Sequence, residues 1–360
     1  MKVFYDSTIF SRQTVGGISR YIVELVNHLP DDIEPMLGVR ASENMYLGEL
    51  RQRRAHLSLR YMPDHRKLYR KINGFFDRRI MSRGGYDIIH PTDYNTLYPR
   101  YNDRPVVLTV HDLIHKRLEG WFRPGAIDDI DRCIVSADAL IAISEATRRD
   151  IVDYYGIDES RITVIHHGYT PVETERCAAS PVDGRYILFV GKRAGYKNFD
   201  ALLKAFAIVA ERDRDLRLVC TGRPFTAGER RAISAAGVSS RVEQHLFPTS
   251  ALAPLYAGAQ CFVFPSKLEG FGMPILEAFA AKTPVALSDA SCLPEIAGGA
   301  ALYFNPDDPA DIAASIRRVI DNPEERARLI DAGTKRLADF SWQTTAEKTA
   351  RVYRSVLRPT

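Results

Sequence analysis

The stretch 265–281, PSKLEGFGMPILEAFAA, decides how this chain is read. It places two glutamates, Glu269 and Glu277, eight positions apart across the turn EGFGMP. Gly270 and Gly272 carry no Cβ, so the backbone there can approach a ligand closely. Pro274 suits the first helical position, where its missing N–H costs nothing. The run ILEAFAA then predicts a helix with Glu277 in its first turn. A helix start offers free N–H groups and about half a positive charge, which attracts phosphate. The stretch therefore reads as an anion cradle with a carboxylate before it and another inside it. Carboxylates repel phosphate but accept from hydroxyls, so the combination suggests a nucleotide-sugar site. Two glutamates at this spacing alone are better described as a surface loop residue and a helix-start carboxylate, since Glu is common. The FGMP between them and the strand QCFVFPS before them favour the site.

The 360 residues predict two domains of ordinary size. A hydrophobic share of 45% and a charged share of 26% are those of a globular protein in water. Cys133, Cys177, Cys220, Cys261 and Cys292 are scattered without metal-like spacing, which fits a reducing cytoplasm. Cys220 and Cys261 fall in strand-like runs and read as small core residues. The chain enters a strand at once (KVFYD, 2–6), so no signal peptide is expected. No apolar run approaches the roughly 18 residues of a membrane span.

Short apolar runs alternate with helical patterns along the whole chain. Strand candidates are 2–6, 86–91, 106–112, 139–144 and 162–167, then 186–191, 216–222, 241–247, 261–266 and 284–288. Most are nearly continuous apolar stretches, which suits strands of a parallel sheet covered on both faces. Ile18, Tyr21, Ile22, Leu25, Val26 and Leu29 recur at helical spacing, and residues 201–210 repeat the pattern. The weakest periodicity lies at 169–185, with two prolines, and reads as a linker. The fold class expected is α/β, two Rossmann-like doubly wound domains over 1–168 and 186–345, with residues 346–360 a helix packing back toward the first. Two such domains would face each other across a cleft at the carboxyl ends of their strands, where ligands of these folds bind.

Other constellations support an anionic ligand. After the first strand, Gly16 and Gly17 open a helix and can present N–H groups to a phosphate, although two glycines also describe an ordinary turn. The dehydrogenase pattern GxGxxG is missing there. His111 ends the strand VVLTVHD and can bond a substrate hydroxyl or act as an acid or base; a structural role is as compatible with its position. Ser144, just after another strand, also works as a helix N-cap. Lys192, Arg193 and Lys197 follow the first strand of the second half, and cations in a Gly-containing loop suit a diphosphate. Thr221 and Gly222 end the next strand, and Phe247 is placed to line a base pocket or to fill a core. Asp129 and Asp131 match DxD formally, but IDDIDRC reads as a helix, so no metal site is expected.

Residues 51–83 hold eleven basic residues against Asp64 and Asp77, a local charge of +9, with aromatic and aliphatic residues interleaved. This suits peripheral contact with an anionic membrane or a solvated helical face. Nucleic acid is not expected, since the net charge of the chain is only +4.

With these residues in view the chain resembles the retaining, GT-B-fold glycosyltransferases of family 4, the glycosyl transferases group 1. The resemblance runs over nearly the whole chain: GGISRY, VHDL, ISEATRRDI, VGKRAGYKN and LYAGAQCFVFPSKLEGFGMPILEAFAAKTPVALSDASCLPEIAGGAALYFNPDD stand in the family's order. It implies that Glu269 contacts donor-sugar hydroxyls and Glu277 the ribose. It implies further that Arg193 and Lys197 hold the diphosphate, with Lys192 able to share that role because the loop is short. The N–H groups of Phe271, Gly272 and Met273 would approach sugar and phosphate, Gly16 and Gly17 the distal phosphate, His111 the sugar, and Phe247 the base.

The reaction implied is transfer of a hexose with retention from a nucleoside diphosphate sugar to a saccharide acceptor, with no cofactor and no essential metal. The style of GGISRY and GYKN is most similar to bacterial O-antigen and polysaccharide mannosyltransferases, which favours GDP-mannose, and the +9 segment fits a polyprenyl-linked saccharide acceptor presented at the inner membrane. The rivals are a UDP- or dTDP-sugar donor, a sugar-nucleotide epimerase on the same fold, and a two-domain binding protein.

Overall fold

A computed structural model describes residues 1–51, 58, 65–118, 126–170, 180–193, 195–247 and 251–357. Its contacts divide the chain into two units, residues 1–168 with 341–360 and residues 169–340. The divisions fall at 168/169 and 340/341, against the 168/169, 185/186 and 345/346 boundaries read from the sequence. Residues 171–179, the middle of the expected linker and the position of Cys177, lie outside the described residues.

The first unit is built on six parallel strands: β1 (Lys2–Tyr5), β2 (Glu34–Leu37), β3 (Ile88–Ile89), β4 (Val107–Val110), β5 (Ala139–Ala142) and β6 (Ile162–Val164). They lie in the orders β2-β1-β3 and β4-β5-β6, joined by a single parallel bridge between Ile89 and Val106. Every residue of β4 and β5 is buried, as continuous apolar strands require. The helix Gly17–Asn27 buries Tyr21, Ile22 and Leu25, while Ile18, Val26 and Leu29 pack partly buried against the same core. The helix Trp342–Val356 adds Trp342, Ala346, Ala350 and Tyr353 to that core.

The second unit holds β7 (Tyr186–Phe189), β8 (Arg217–Thr221), β9 (Val242–His245), β10 (Cys261–Phe264), β11 (Val285–Ser288) and β12 (Ala301–Phe304), again all parallel. Their order is β12-β11-β10-β7-β8-β9. The winding reverses between β7 and β10. In open α/β sheets that reversal leaves a crevice at the strand ends, and ligands bind there. The loop carrying Lys192, Arg193 and Lys197 leaves β7, and the loop carrying Glu269 leaves β10, so the two flank the reversal. Cys220 and Cys261 are fully buried in β8 and β10.

The sequence reading missed β2 and β12. Both are edge strands of four residues, and Pro35 sits inside β2, a position tolerated only at an edge.

Candidate functional site

The decisive stretch is a strand end, a turn and a short helix. β10 ends at Phe264 and the helix runs Met273–Ala280, capped by Gly272. Gly272 sits at φ 96°, a left-handed backbone that suits glycine. A Cβ there would also come within 3.1 Å of Ile275 Cδ1 and 3.2 Å of Leu293 Cδ2. The helix begins one residue before Pro274, so Glu277 lies in its second turn rather than the expected first. Glu277 Oε2 accepts from the buried Tyr256 hydroxyl at 2.9 Å, which fixes the carboxylate. Phe271 is buried edge-on against Phe340, their centroids 5.9 Å apart.

Glu269 is held at both ends. Its Oε1 accepts from Lys197 Nζ at 2.6 Å, and the two side chains are only 11% and 19% exposed. Its backbone is clamped by the loop after β11. Ser291 Oγ accepts from the Glu269 N–H at 3.2 Å and donates to the Glu269 carbonyl at 2.7 Å. The Cys292 thiol donates to the same carbonyl at 3.2 Å. Ser291 does this from φ 57°, a left-handed conformation that a non-glycine residue seldom adopts.

Arg193 is engaged within its own unit. Its guanidinium donates to Glu229 at 2.8 Å, to the Thr221 carbonyl at 2.9 Å and to the Arg223 carbonyl, and it stacks on Phe225 at 4.8 Å. Its side chain is 5% exposed. Lys192 beside it is exposed, with no partner among the described residues. Thr221 Oγ1 accepts from the Gly191 N–H at 3.3 Å, and the Gly222 N–H donates to the His245 carbonyl at 3.1 Å. Phe247 stacks on His245 at 5.3 Å. The loops after β7, β8 and β9 are thereby bonded to one another.

The remaining candidates lie in the first unit. Gly16 caps the helix Gly17–Asn27 in an extended conformation, and the Ser19 N–H donates to Gln13 Oε1 at 3.3 Å. His111 follows β4, edge-on to Tyr21 at 5.2 Å and stacked on His167 at 5.6 Å. Burial pulls its pKa down to about 4, so the imidazole is neutral at pH 7. Tyr21 bonds Thr109 Oγ1 at 3.0 Å, and Thr109 bonds His90 Nε2 at 2.9 Å. His90 Nδ1 meets the Tyr353 hydroxyl at 2.5 Å, and Tyr353 meets the Tyr5 hydroxyl at 2.8 Å. This buried chain ties the helix that follows Gly16 to the last helix of the protein.

Asp129 and Asp131 lie on the helix Ala126–Ser136, where Asp131 bonds the Tyr155 hydroxyl at 2.7 Å. Ser144 is an N-cap, accepting from the Thr147 N–H at 3.1 Å. Ser291, Tyr256, Glu229 and Tyr21 escaped the sequence reading as site residues. Each acts through a contact distant in sequence, and no motif spacing connects it to its partner.

The family described as "Glycosyl transferases group 1" matches residues 173–336, and the one described as "Glycosyltransferase Family 4" matches residues 15–173. The chain is 29% identical over 301 residues to the MMP alpha-(1->4)-mannosyltransferase of Mycolicibacterium hassiacum, covering 76% of this chain and 72% of that one. It is 30% identical over 293 residues to the glycogen synthase of Mycobacterium tuberculosis, covering 76% and 69%. Among solved structures, Anabaena HepE in complex with UDP-glucose aligns with a TM-score of 0.76 at 16% identity, over 98% of this chain and 99% of that one. The protein has the GT-B fold. It belongs to the family 4, group 1 glycosyltransferases and transfers sugar from a nucleotide sugar.

Proposed function

We propose that this protein is a retaining, metal-independent hexosyltransferase that moves mannose from GDP-mannose to a lipid-linked saccharide in the synthesis of a bacterial surface polysaccharide or lipopolysaccharide. The observation that supports it best is the pairing of Lys197 with Glu269 beside the helix that Gly272 caps. A donor entering there meets a cation, a carboxylate and the N–H groups of the turn that leads into the helix. The diphosphate takes the Lys197 ammonium and the N–H groups of the turn, and Glu269, released from the lysine, accepts from sugar hydroxyls. Glu277, oriented by Tyr256, accepts from the ribose hydroxyls, and Phe247 flanks the base.

Negative charge grows on the leaving diphosphate as the glycosidic bond breaks. Cations and amides already aimed at it favour the transition state over the ground state. Arg193 supports this by fixing the β7 and β8 loops, and Lys192 is the further cation available to the phosphate. A neutral His111 bonds a sugar hydroxyl without adding charge. The incoming acceptor hydroxyl loses its proton to a donor phosphate oxygen on the same face, so no covalent glycosyl-enzyme forms. The mannosyltransferase named among the relatives speaks for mannose.

The helix His65–Arg83 supports the membrane reading. Tyr69, Asn73, Asp77 and Met81 are buried at four-residue spacing. Arg70, Lys71, Arg78, Arg79 and Arg83 are exposed together with Phe75. Arg53, Arg54 and Arg60 of the basic segment lie outside the described residues.

The deciding experiment measures melting shifts with GDP, UDP, ADP and dTDP, then transfer from the matching sugar nucleotides with EDTA present, with the anomer read by NMR. A GDP shift and an α-mannoside product are expected. Inverted product, or release of an epimerised sugar from donor alone, refutes the reading.

A further inference from the structure

The helix Pro323–Leu337 of the second unit carries none of the residues assigned a role so far, yet it braces the turn 269–272 and the helix behind it. Gly333 lets it lie close against the helix Met273–Ala280, since a Cβ at that position would come within 2.6 Å of Phe279 Cδ1. Three residues further on, Arg336 reaches two other parts of the site.

The first path runs through a short helix, Leu293–Ala297. Arg336 Nε donates to the Ile296 carbonyl at 2.9 Å and Nη2 to the Glu295 carbonyl at 2.7 Å. Carbonyls in the last turn of a helix lack partners within it, and the guanidinium supplies them. The other end of this helix follows Ser291 and Cys292, which hold the Glu269 backbone. Its Leu293 side chain lies beside Gly272. A strut thus joins Arg336 to Glu269.

The second path runs through rings. The Arg336 guanidinium lies over the Phe340 ring, 4.9 Å from its centroid, and Phe340 meets Phe271 edge-on. Both rings are buried. One side chain therefore holds the turn 269–272 at Glu269 and again at Phe271. A guanidinium suits the place, because its planar fork reaches two carbonyls while its face stacks on a ring. Nη1 pairs with Asp339 at 2.8 Å.

We propose that Arg336 is a positioning residue for sugar transfer, setting where Glu269 and the Phe271–Gly272 backbone stand without touching the donor itself. The inference rests on the reading of Glu269 as the carboxylate that takes the donor-sugar hydroxyls. A misplacement of about 1 Å at such a group costs up to about 10²-fold in rate.

The test uses the full chain and Arg336→Lys, which keeps a cation for the Phe340 ring but loses the fork. Amide hydrogen exchange over 265–281 is measured without donor. Transfer is measured with the most active of GDP-mannose, UDP-glucose, ADP-glucose and dTDP-glucose. Exchange at the Glu269 to Gly272 amides is expected to quicken about tenfold while β7 and β8 keep their rates, as loosening of one hydrogen-bonded contact does. The kcat is expected to fall about tenfold with the nucleoside diphosphate melting shift unchanged. A merely structural arginine would instead quicken exchange throughout the second unit and weaken nucleotide binding. Arg336→Lys combined with Ser291→Ala separates shared from independent action. Two residues acting through one strut give a double variant about tenfold slower than wild type, whereas independent losses multiply to about a hundredfold. Unaltered exchange at 269–272, exchange raised equally across the unit, or multiplied losses overturn the proposal. Local quickening with undiminished kcat leaves Arg336 as the brace of the turn and counts against the Glu269 reading instead.

Discussion

Lys197 and Glu269, 72 residues apart in sequence, meet at 2.6 Å with both side chains mostly buried. The cation proposed for the donor diphosphate therefore already has a carboxylate partner, so in the proposed reaction donor binding exchanges one anion for another. Lys197→Ala removes the cation and strands Glu269. It is expected to lower kcat by about 10²–10³-fold, as loss of one oriented electrostatic group does. It should also cost about 1–3 kcal/mol of stability, because a largely buried acceptor loses its donor. Steady-state kinetics and urea melts check both, and full activity in Lys197→Ala would remove the lysine from the mechanism.

Ser291 orients Glu269 without touching a ligand in this reading. Ser291→Ala loses both bonds to the Glu269 backbone, and Ser291→Gly loses them while relieving a left-handed residue whose strain is about 1–3 kcal/mol. Both variants are expected to lower kcat about tenfold with an unchanged nucleotide melting shift, and Ser291→Gly should melt no lower than Ser291→Ala. A variant with lost nucleotide binding but normal kcat contradicts the positioning role.

Two glycines, one in each unit, predict opposite outcomes. Gly272→Ala meets both a positive φ and two side chains near 3 Å, so a loss of about 2 kcal/mol is expected. A Cβ on Gly17 meets nothing within 4 Å and stands at a helix start, so Gly17→Ala leaves the melting temperature level or higher. If a phosphate approaches that turn closely, Gly17→Ala still loses transfer activity. Normal activity in this variant removes the turn from the phosphate site.

The buried histidines of the first unit set its response to acid. Burial lowers His90 to about 3 and His111 to about 4, and puts His167 well below its ordinary value. The unfolded chain binds protons at these positions from about pH 6.5 downward while the folded chain does not. Stability is therefore complete above that pH and falls as pH drops toward 4 and then 3. For His90 the slope is about 1.4 kcal/mol per pH unit. Urea melts at pH 7.5, 5.5 and 4.5 should show the loss, and His90→Gln should flatten it; a slope unaffected by that substitution places the acid sensitivity elsewhere.

The exposed basic face of helix His65–Arg83 predicts binding to anionic vesicles. Arg78→Glu combined with Arg79→Glu changes the local charge by four without touching a buried position. Co-sedimentation with phosphatidylglycerol vesicles is expected to fall by an order of magnitude or more, since each basic residue near such a surface contributes about 1 kcal/mol. Equal sedimentation of variant and wild type leaves the face merely solvated.

Much of this architecture was legible in the chain because parallel strands buried on both faces read as continuous apolar runs. That pattern located ten of the twelve strands among the described residues, and the two it missed are short edges, one interrupted by Pro35. The turn at Gly272 was legible for the same local reason, since its glycine and proline act within four residues of each other. Partnerships across the sheet were not legible. Nothing at Ser291 announces a bond to Glu269, and nothing at Glu229 announces that it occupies Arg193. The loop after β7 reads as three cations facing a phosphate, but burial and two backbone carbonyls decide that the arginine fastens loops together.

The return of the last helix to the first unit makes residues 169–340 an insertion in the chain that surrounds them. The two ends of the insertion are held together where the Tyr169 N–H donates to the Phe340 carbonyl at 3.2 Å. During synthesis this inserted body is complete once residue 340 has emerged. The flanking body then still lacks Trp342 and Tyr353, so β1, His90 and Tyr5 wait with their partners unmade. The later-starting half of the chain is thus the first able to finish folding, and residues through Tyr353 must emerge before the N-terminal sheet can close its core.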